Sequence, residues 1–309
     1  MKNLYLTLAI GALAWALAAC SSPSPTATAI PSGPEFNSFP GASEFVVGEN
    51  RFPFVLASLE GQLLEGAQVD VTFSFLAGEE LSARVTLPAH YREARTDVAH
   101  VHTGGEVHPH QEVRGLYVVD DATFDTAGFW LASFSVASPG GGSPGVGELA
   151  FAVKEQLRLP DVGSPVPRTE NLTLRDVVTI EEIDTLEPPD DMHDLTVAQA
   201  LDLSKPFVVT WSTPLFCVTR VCGPVLEEVV ALEDRYRDRV NFIHIEPWDL
   251  NEARGEGRLV PVPELLEWNL ETEPWVFVVG ADGLVSARFE GLVTTEELDK
   301  ALQEALGSS

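Results

Sequence analysis

The sequence predicts two folded domains of different class, an all-β domain followed by an α/β domain. Between residues 44 and 155, short apolar runs and turn residues follow one another in the pattern of strands throughout. Between residues 194 and 309, strand patterns alternate with helix patterns, which is typical of an α/β fold. A chain of 309 residues with 45% hydrophobic and 21% charged residues has the length and composition for two globular domains.

The chain is strongly acidic. It has 47 Asp and Glu against 19 Lys and Arg, a formal net charge of −28. This charge argues against binding nucleic acid or anionic lipid through a basic face, so we expect no nucleic-acid partner. It favours solubility and, more weakly, cationic or metal ligands.

The first 20 residues have the form of a signal peptide. Lys2 precedes an apolar run, residues 4–17, that is too short to span a bilayer. The run ends in Leu17-Ala18-Ala19-Cys20, which resembles the bacterial lipobox. That resemblance implies cleavage before Cys20, lipidation of its sulfur and amine, and a protein anchored to a membrane of the bacterial cell envelope outside the cytoplasm. The alternative is an ordinary signal peptide with an incidental cysteine.

Two segments are predicted to connect the folded parts. Residues 21–43 are rich in Ser, Pro, Thr, Ala and Gly, which predicts a flexible linker between the anchor and the first domain. Residues 156–193 are interrupted by prolines and acidic residues, which predicts a connector between the two domains.

Residues 44–155 are predicted to form a β-sandwich of immunoglobulin-like type. From Val69 to Phe75, apolar and polar residues alternate, as they do in a strand with one buried face. Short strands separated by turn residues are typical of such a sandwich. The candidate strands are Arg51–Leu56, Gln68–Phe75, Arg84–Leu87, Val113–Val119, Gly128–Val136 and Glu148–Val153. The fold by itself assigns no function.

Five of the seven histidines lie between residues 90 and 110. A hairpin with the three-residue loop 103–105 would gather four imidazoles on one face, where they suit Cu²⁺ or Zn²⁺. A two-residue loop, 104–105, would divide them between the two faces. The alternative interpretation is an exposed polar hairpin, because a His-rich tract is compositional evidence only. The candidate ligands are His100, His102, His108 and His110.

The α/β domain is organised around a strand, two cysteines and a helix. The apolar run Phe207–Trp211 predicts a buried strand, and Cys217 and Cys222 follow it with four residues between them. Gly223-Pro224 then precedes apolar residues at helical spacing. A thiol near a helix N-terminus faces unpaired N–H groups that favour the thiolate.

Helix geometry limits how these two sulfurs can meet. If residues 217–222 were all helical, the two Cα atoms would lie roughly 8–9 Å apart. A disulfide tolerates about 7 Å at most. A disulfide therefore requires Cys217 to lie in the loop before the helix.

The stretch WSTPLFCVTRVCGPV resembles the strand-to-helix turn of the thioredoxin-like superfamily, whose usual active site is Cys-Gly-Pro-Cys. Glu273-Pro274-Trp275, followed by VFVVGADGLVSARFEG, resembles a later signature of that superfamily, in which a cis proline opposite the cysteines precedes a strand and a hairpin. The resemblance covers about residues 194–306. It implies a thioredoxin-like fold, thiol–disulfide exchange through Cys217 and Cys222, and Pro274 in cis.

The sequence departs from the superfamily pattern in two places. Alignment on Gly-Pro makes Cys222 the attacking cysteine, whereas alignment on the strand favours Cys217. We expect Cys222, because it directly precedes Gly-Pro at the start of the helix. In addition, no carboxylate lies in Phe207–Trp211, where thioredoxins carry a buried acid.

The remaining elements of this domain follow from local patterns. Thr196 is predicted to cap the first helix, and Thr294 or Thr295 to start the last one. The other predicted helices and strands are Val197–Leu203, Val240–Ile245, Pro263–Asn269, Val276–Val279 and Leu284–Phe289. A lone His244 at the end of its strand is interpreted as a satisfied strand residue rather than a ligand.

Three functions are compatible with these features. The first is an envelope thiol–disulfide oxidoreductase, which needs no cofactor and acts on protein thiols or disulfides together with a redox partner. The second is a metal-handling or scaffolding lipoprotein, in which the histidines hold copper or zinc and the cysteines receive or guard the ion. In outline this resembles the Sco-type copper chaperones, whose cysteine spacing is shorter. The third is a thioredoxin-like module that serves only for binding.

Overall fold

The computed structural model describes most of the chain, namely residues 33–78, 80–94, 115–139, 141–219 and 221–307. The signal sequence with Cys20 and the candidate ligands His100, His102, His108 and His110 lie outside these ranges. Within them, the helices are too short or too polar for any one of them to cross a membrane.

The N-terminal part is one eight-stranded sheet. Its strands are β1 Phe36–Pro40, β2 Phe45–Val46, β3 Gly48–Ser58, β4 Val69–Ala77, β5 Glu80–Glu93, β6 Gly115–Phe124, β7 Gly128–Val136 and β8 Gly145–Lys154. Their order in the sheet is β1-β3-β6-β5-β4-β7-β8-β2. All neighbours are antiparallel except β2 and β8, which are parallel, so the sheet is mixed. Each of the candidate strands overlaps one of these strands.

The sheet curls around an aromatic core. The first part of β5 pairs with β4 and its last four residues pair with β6, so this long strand carries the chain from one half of the sheet to the other. The Ser38 hydroxyl on β1 donates to the Glu148 carbonyl on β8 at 3.0 Å, which brings the two ends of the sheet together. Inside, Phe52 and Phe73 meet edge to face with ring centroids 4.9 Å apart. Such pairs are favourable beyond the area that they bury.

The predicted linker, residues 21–43, is wrong over its last part. Phe36–Pro40 forms strand β1, which pairs with β3. The Phe36 ring packs against Gly147, where an added Cβ would lie only 2.6 Å from it. The strand depends on this long-range contact with β8, whereas its local composition is that of a tether. The β domain therefore begins before residue 44.

The predicted connector packs along the C-terminal domain. Leu159 and Val166 belong to its apolar core on one side of the sheet, and Leu186 and Met192 to the core on the other side. The segment has one turn of 3₁₀ helix, Ile180–Glu182, and otherwise irregular backbone. Buried side chains, rather than regular secondary structure, hold it in place.

The C-terminal domain is a four-stranded sheet covered by helices. Its elements are α1 Val197–Asp202, β9 Phe207–Trp211, α2 Cys222–Tyr236, β10 Asn241–Ile245, α3 Leu250–Glu256, α4 Pro263–Glu267, β11 Trp275–Val279, β12 Val285–Glu290 and α5 Thr295–Gly307. The strand order is β10-β9-β11-β12. Strands β10 and β9 are parallel, and β11 is antiparallel to both of its neighbours. All five residues of β9 and of β11 are buried, as the apolar runs predict.

The two domains are joined by a shared apolar core and by a buried ion cluster. Leu116 and Val118 of β6 belong to the same buried apolar cluster as residues of α2 and α5. Glu297 of α5 accepts a hydrogen bond from Arg51 Nε at 2.6 Å and also pairs with Arg92. Only 8% of the Glu297 side chain is exposed. Burial by itself raises the pKa of this carboxyl, but the two guanidinium groups outweigh it and leave the pKa lowered.

We expect Glu297→Gln to lower the free energy of unfolding by about 3 kcal/mol at pH 7, because it leaves the partly buried Arg51 without a counter-charge and leaves Arg92 with only the more exposed Asp120. The ionised carboxylate has a lowered pKa in the folded state. Its contribution is therefore complete above the unfolded value of about 4.3 and is lost as the pH falls through the folded value. Guanidinium unfolding at pH 7 and at pH 3 measures both effects.

The matched control is Glu296→Gln, which neutralises the exposed neighbouring residue on the same helix. It should change stability by less than about 0.5 kcal/mol. Equal effects of the two substitutions, or a Glu297→Gln deficit that persists undiminished at pH 3, would contradict this account of the domain junction.

Candidate functional site

Cys217 and Cys222 form a disulfide where β9 leads into α2. Cys222 is the first residue of the helix, and Cys217 lies in the turn before it. Their Cα atoms are 5.9 Å apart, within the range that a disulfide requires. The expectation that Cys217 lies in the loop before the helix is therefore confirmed.

Ser212 holds the beginning of the cysteine loop to the start of the helix. It is the first residue after β9, and it is completely buried. Its hydroxyl donates to the Cys222 carbonyl at 2.9 Å, and its N–H donates to the Ile245 carbonyl at 3.2 Å. The last residue of β9 and the first residue of α2 are thus fixed relative to each other and to β10.

The two sulfurs differ in exposure. Cys222 is completely buried, whereas Cys217 is partly exposed. The Cys222 N–H at the helix start donates to Cys217 Sγ at 3.3 Å. In the dithiol form this donor and the helix dipole favour a thiolate on Cys217. The expectation that Cys222 is the attacking sulfur stays a prediction, and the exposure favours Cys217, because an attacking sulfur must be reached by its substrate.

Pro274 lies beside the cysteine loop. The Glu273–Pro274 peptide bond is cis, the conformation that the thioredoxin-like resemblance implies. Strand β11 begins at the next residue, Trp275, which lies opposite Trp211 of β9. The cis proline and the cysteine loop therefore emerge from neighbouring strands at the same end of the sheet.

Glu273 places a buried carboxylate at the disulfide. One of its oxygens accepts from the Val218 N–H at 2.7 Å, and the carboxylate lies within 4.8 Å of the sulfurs of both Cys217 and Cys222. Its residue is only 4% exposed. Burial raises the pKa of this carboxyl, and the N–H groups of Val218 and Thr219 only partly offset that effect. The arrangement provides a group that can take up or release a proton next to the sulfurs.

The sequence offered only a partial signal for Glu273. Glu273 directly precedes Pro274, in the segment that resembles the later signature of the thioredoxin-like superfamily, but no role follows from that position alone. The buried carboxylate that β9 lacks is supplied from the loop just before β11, and only the pairing of β9 with β11 reveals that this loop lies at the disulfide.

A second group of buried polar side chains lies at the end of β10. His244 Nδ1 is 2.8 Å from Asp190 Oδ2, and its Nε2 is 3.1 Å from the Ser212 carbonyl. Burial by itself lowers the pKa of His244, but Asp190 and the nearby Asp184 outweigh burial and raise the pKa to about 10. His193 also contacts both aspartates. His244 is therefore a partnered strand residue, as predicted, but its partners in the connector were not foreseen.

Glu246 lies two residues further along and contacts the cysteine loop through Thr185. The Thr185 hydroxyl donates to Glu246 at 2.6 Å and accepts from the Leu215 N–H at 3.2 Å. Burial raises the pKa of Glu246 to about 7. The connector therefore supports the cysteine loop through the two hydrogen bonds of Thr185.

No protein-family model and no curated protein matches this sequence. Solved structures that are similar to part of it include the following two. The crystal structure of a thiol:disulfide interchange protein of the thioredoxin family from Chlorobium tepidum TLS is 21% identical, covering 37% of this chain and 86% of its own, with a TM-score of 0.28. The solution structure of a thioredoxin-like protein in the oxidized form is 16% identical, covering 50% of this chain and 99% of its own, with a TM-score of 0.30. With TM-scores this low, neither likeness says anything about the activity of this chain.

The class of the C-terminal domain follows from its own geometry. A parallel pair of strands is extended by an antiparallel pair, a disulfide lies at the strand-to-helix turn, and a cis proline precedes the next strand. These are the features that the resemblance implies. The C-terminal domain is thioredoxin-like.

We expect Cys217 to be alkylated at least about tenfold faster than Cys222 at pH 7 after reduction, because it is the exposed thiol and the helix N-terminus favours its thiolate. Timed labelling with iodoacetamide, followed by mass spectrometry of the two peptides, measures both rates. The single substitutions Cys217→Ser and Cys222→Ser assign each rate to its residue. Equal rates, or faster labelling of Cys222, would contradict the assignment of Cys217 as the reactive sulfur.

Proposed function

We propose that this protein is a membrane-anchored, extracytoplasmic thiol–disulfide oxidoreductase that acts on protein thiols or disulfides. The observation that carries the proposal is the Cys217–Cys222 disulfide, which lies at the N-terminus of α2 beside the cis bond of Pro274. Its outer sulfur is partly exposed and its inner sulfur is buried. A reversible pair needs this asymmetry, because one sulfur must meet the substrate and the other must remain available to close the disulfide.

The exchange proceeds in two steps when the protein reduces a substrate. The Cys217 thiolate attacks one sulfur of the substrate disulfide, forming a mixed disulfide, and the other substrate sulfur leaves as a thiolate. The Cys222 thiolate then attacks Cys217 Sγ, restores the internal disulfide and releases the second substrate sulfur. The reverse sequence oxidises a substrate dithiol. A redox partner that restores the starting form of the pair sets the direction.

Glu273 supplies the proton transfer in the second step. Cys222 is buried, so its thiol has no access to bulk water as a base. The Glu273 carboxylate, close to both sulfurs, takes the proton from Cys222 as it attacks. In the reverse direction the same carboxyl returns the proton to the Cys222 thiolate as it leaves.

The N-terminal half is proposed to present this domain on a membrane. The sequence Leu17-Ala18-Ala19-Cys20 supports a lipid anchor in the bacterial cell envelope. An immunoglobulin-like sandwich is supported by the curled sheet and by the N-terminal segment, which pairs first with β3 and then, through β2, with β8. A copper or zinc site at the histidines stays a prediction from the sequence, with ligands His100, His102, His108 and His110.

Cys222→Ser is expected to accumulate mixed disulfides with substrate proteins, because Cys217 can still attack but nothing resolves the product. Cys217→Ser, the matched control, should accumulate none. Non-reducing electrophoresis of cells producing each variant, followed by mass spectrometry of the reducible bands, measures the difference. Trapping by Cys217→Ser would transfer the attacking role to Cys222. If neither variant traps a protein, catalysis by this pair is ruled out.

Glu273→Gln is expected to slow closure of the mixed disulfide roughly tenfold or more near pH 7, because the base for Cys222 is lost. The raised pKa of Glu273 means that wild-type closure accelerates as the pH rises through that value. In the variant, closure must await ionisation of the Cys222 thiol itself, so the rate difference from the wild type should shrink as the pH rises further. Stopped reactions of the reduced protein with a small aromatic disulfide, analysed by mass spectrometry, give the rate.

Glu271→Gln, an exposed neighbour in the same loop, is the control. Glutamine at 273 keeps an oxygen that can accept from the Val218 N–H, so the loop retains its support. A deficit of the same size at every pH would show that Glu273 only positions the loop.

A further inference from the structure

The connector and strand β10 bring four potential metal ligands together, away from the disulfide. Asp184, Asp190 and His193 come from the connector, and His244 comes from β10. Not more than 1% of any of these side chains is exposed. One donor atom from each lies within 4.8 Å of the others. Two carboxylates buried to this degree require a positive charge among them.

The nitrogen–oxygen distances in this cluster lie on either side of those in a tetrahedral metal site. His193 Nε2 lies 3.3 Å from Asp184 Oδ2 and 3.2 Å from Asp190 Oδ1. His244 Nδ1 lies 2.8 Å from Asp190 Oδ2 and 3.9 Å from Asp184 Oδ1. Ligand atoms around a tetrahedral ion with bonds of about 2.0 Å are roughly 3.3 Å apart. The four distances involve both oxygens of each aspartate, so binding by four donors would require each carboxylate to present one oxygen to both histidines.

The tautomer of His244 is suited to metal binding. Its Nε2 faces the Ser212 carbonyl, which only accepts, so Nε2 carries the hydrogen. A metal ion that displaces the proton on Nδ1 would therefore find the lone pair on the atom that faces the carboxylates. Metal-bound histidines usually donate their other ring N–H to a carbonyl or carboxylate in this way.

Backbone N–H groups of the connector also orient the two carboxylates. Asp184 accepts from the N–H groups of Leu186 and Asp190 at 2.7 and 2.9 Å, and Asp190 accepts from the Met192 N–H at 2.9 Å. These bonds hold the oxygens toward the histidines without supplying a net positive charge. The connector thus prepares two fixed anionic donors for a cation.

We propose that Asp184, Asp190, His193 and His244 bind one Zn²⁺ ion as a closed structural site. Two neutral imidazoles and two carboxylates give zinc four ligands and balance its charge, and complete burial leaves no position for a substrate. Imidazole donors disfavour Mg²⁺ and Ca²⁺, which prefer oxygen ligands throughout. The site joins the connector to β10 and, through the Ser212 carbonyl, to the strand that leads into the cysteines.

Protonation of both histidines would also balance the charge of the two carboxylates. The experiment must therefore distinguish bound zinc from two bound protons. The full chain is purified with its disulfide oxidised, so that the cysteines do not bind zinc. His100, His102, His108 and His110 are replaced by Ala, which removes the predicted hairpin site. The protein is unfolded in guanidinium with a chelator, then refolded with and without one equivalent of Zn²⁺.

We expect one zinc per chain by mass spectrometry of the metal, retained during dialysis against a chelator because the site is buried. Zinc should raise the midpoint of thermal unfolding by about 5–10 °C. X-ray absorption at the zinc edge should show nitrogen and oxygen ligands without sulfur. His193→Gln and Asp190→Asn should lose the zinc and the shift, while Asp191→Asn, which changes the exposed neighbour, should keep both.

Substoichiometric zinc with identical unfolding midpoints would overturn the proposal and leave the cluster paired by protons. Zinc content unchanged in both His193→Gln and Asp190→Asn would place the ion elsewhere and also overturn it. If these variants fail to fold, the metal content and absorption spectrum of the chain with an intact cluster decide the matter. None of these outcomes depends on redox activity.

Discussion

The structure depends on how the end of β9 is held at Ser212. The Ser212 N–H binds the neighbouring strand, its hydroxyl binds the first residue of α2, and its carbonyl binds His244. A single buried residue therefore connects the sheet, the helix that carries Cys222 and the buried acidic cluster. Because all three hydrogen bonds are shielded from water, the loop between β9 and α2 begins from a fixed point. The position of Cys217 follows from this constraint and from the turn that returns its side chain to the helix start.

Two opposing electrostatic influences meet at Cys217. The N-terminus of α2 favours a thiolate, whereas an ionised Glu273 close to the same sulfur disfavours it. Burial raises the pKa of Glu273, so this carboxyl holds its proton to a higher pH than an exposed one does. A proton on Glu273 removes the repulsion, and its loss provides a base for Cys222. In the proposed exchange, one buried carboxyl would thus support first the attack and then the closure.

Local patterns predicted those parts of the fold whose residues are close in sequence. The buried strands β9 and β11, the capped helix after Thr196 and the place of Cys217 before the helix all follow from short-range rules, as does the alternation along β4. Strand β1 was missed because its local composition is that of a tether, while its pairing with β3 and its contact with Glu148 of β8 appear only in the folded sheet. Burial of Cys222 and the approach of Glu273 depend on the packing of separate strands, which no spacing in the sequence expresses. The same is true of His244, whose partners lie in a segment with no periodicity.

The contacts between the domains bear on how the redox site is presented. Glu297 starts the last helix of the thioredoxin-like domain but is neutralised by Arg51 and Arg92 of the β domain. Glu290 at the end of β12 likewise accepts from the N–H and hydroxyl of Ser43. A flexible joint would expose these carboxylates and the shared apolar core to water, at a cost comparable to the stability of a domain. The β domain and the thioredoxin-like domain therefore move together, and the cysteine pair keeps a fixed position relative to the β domain.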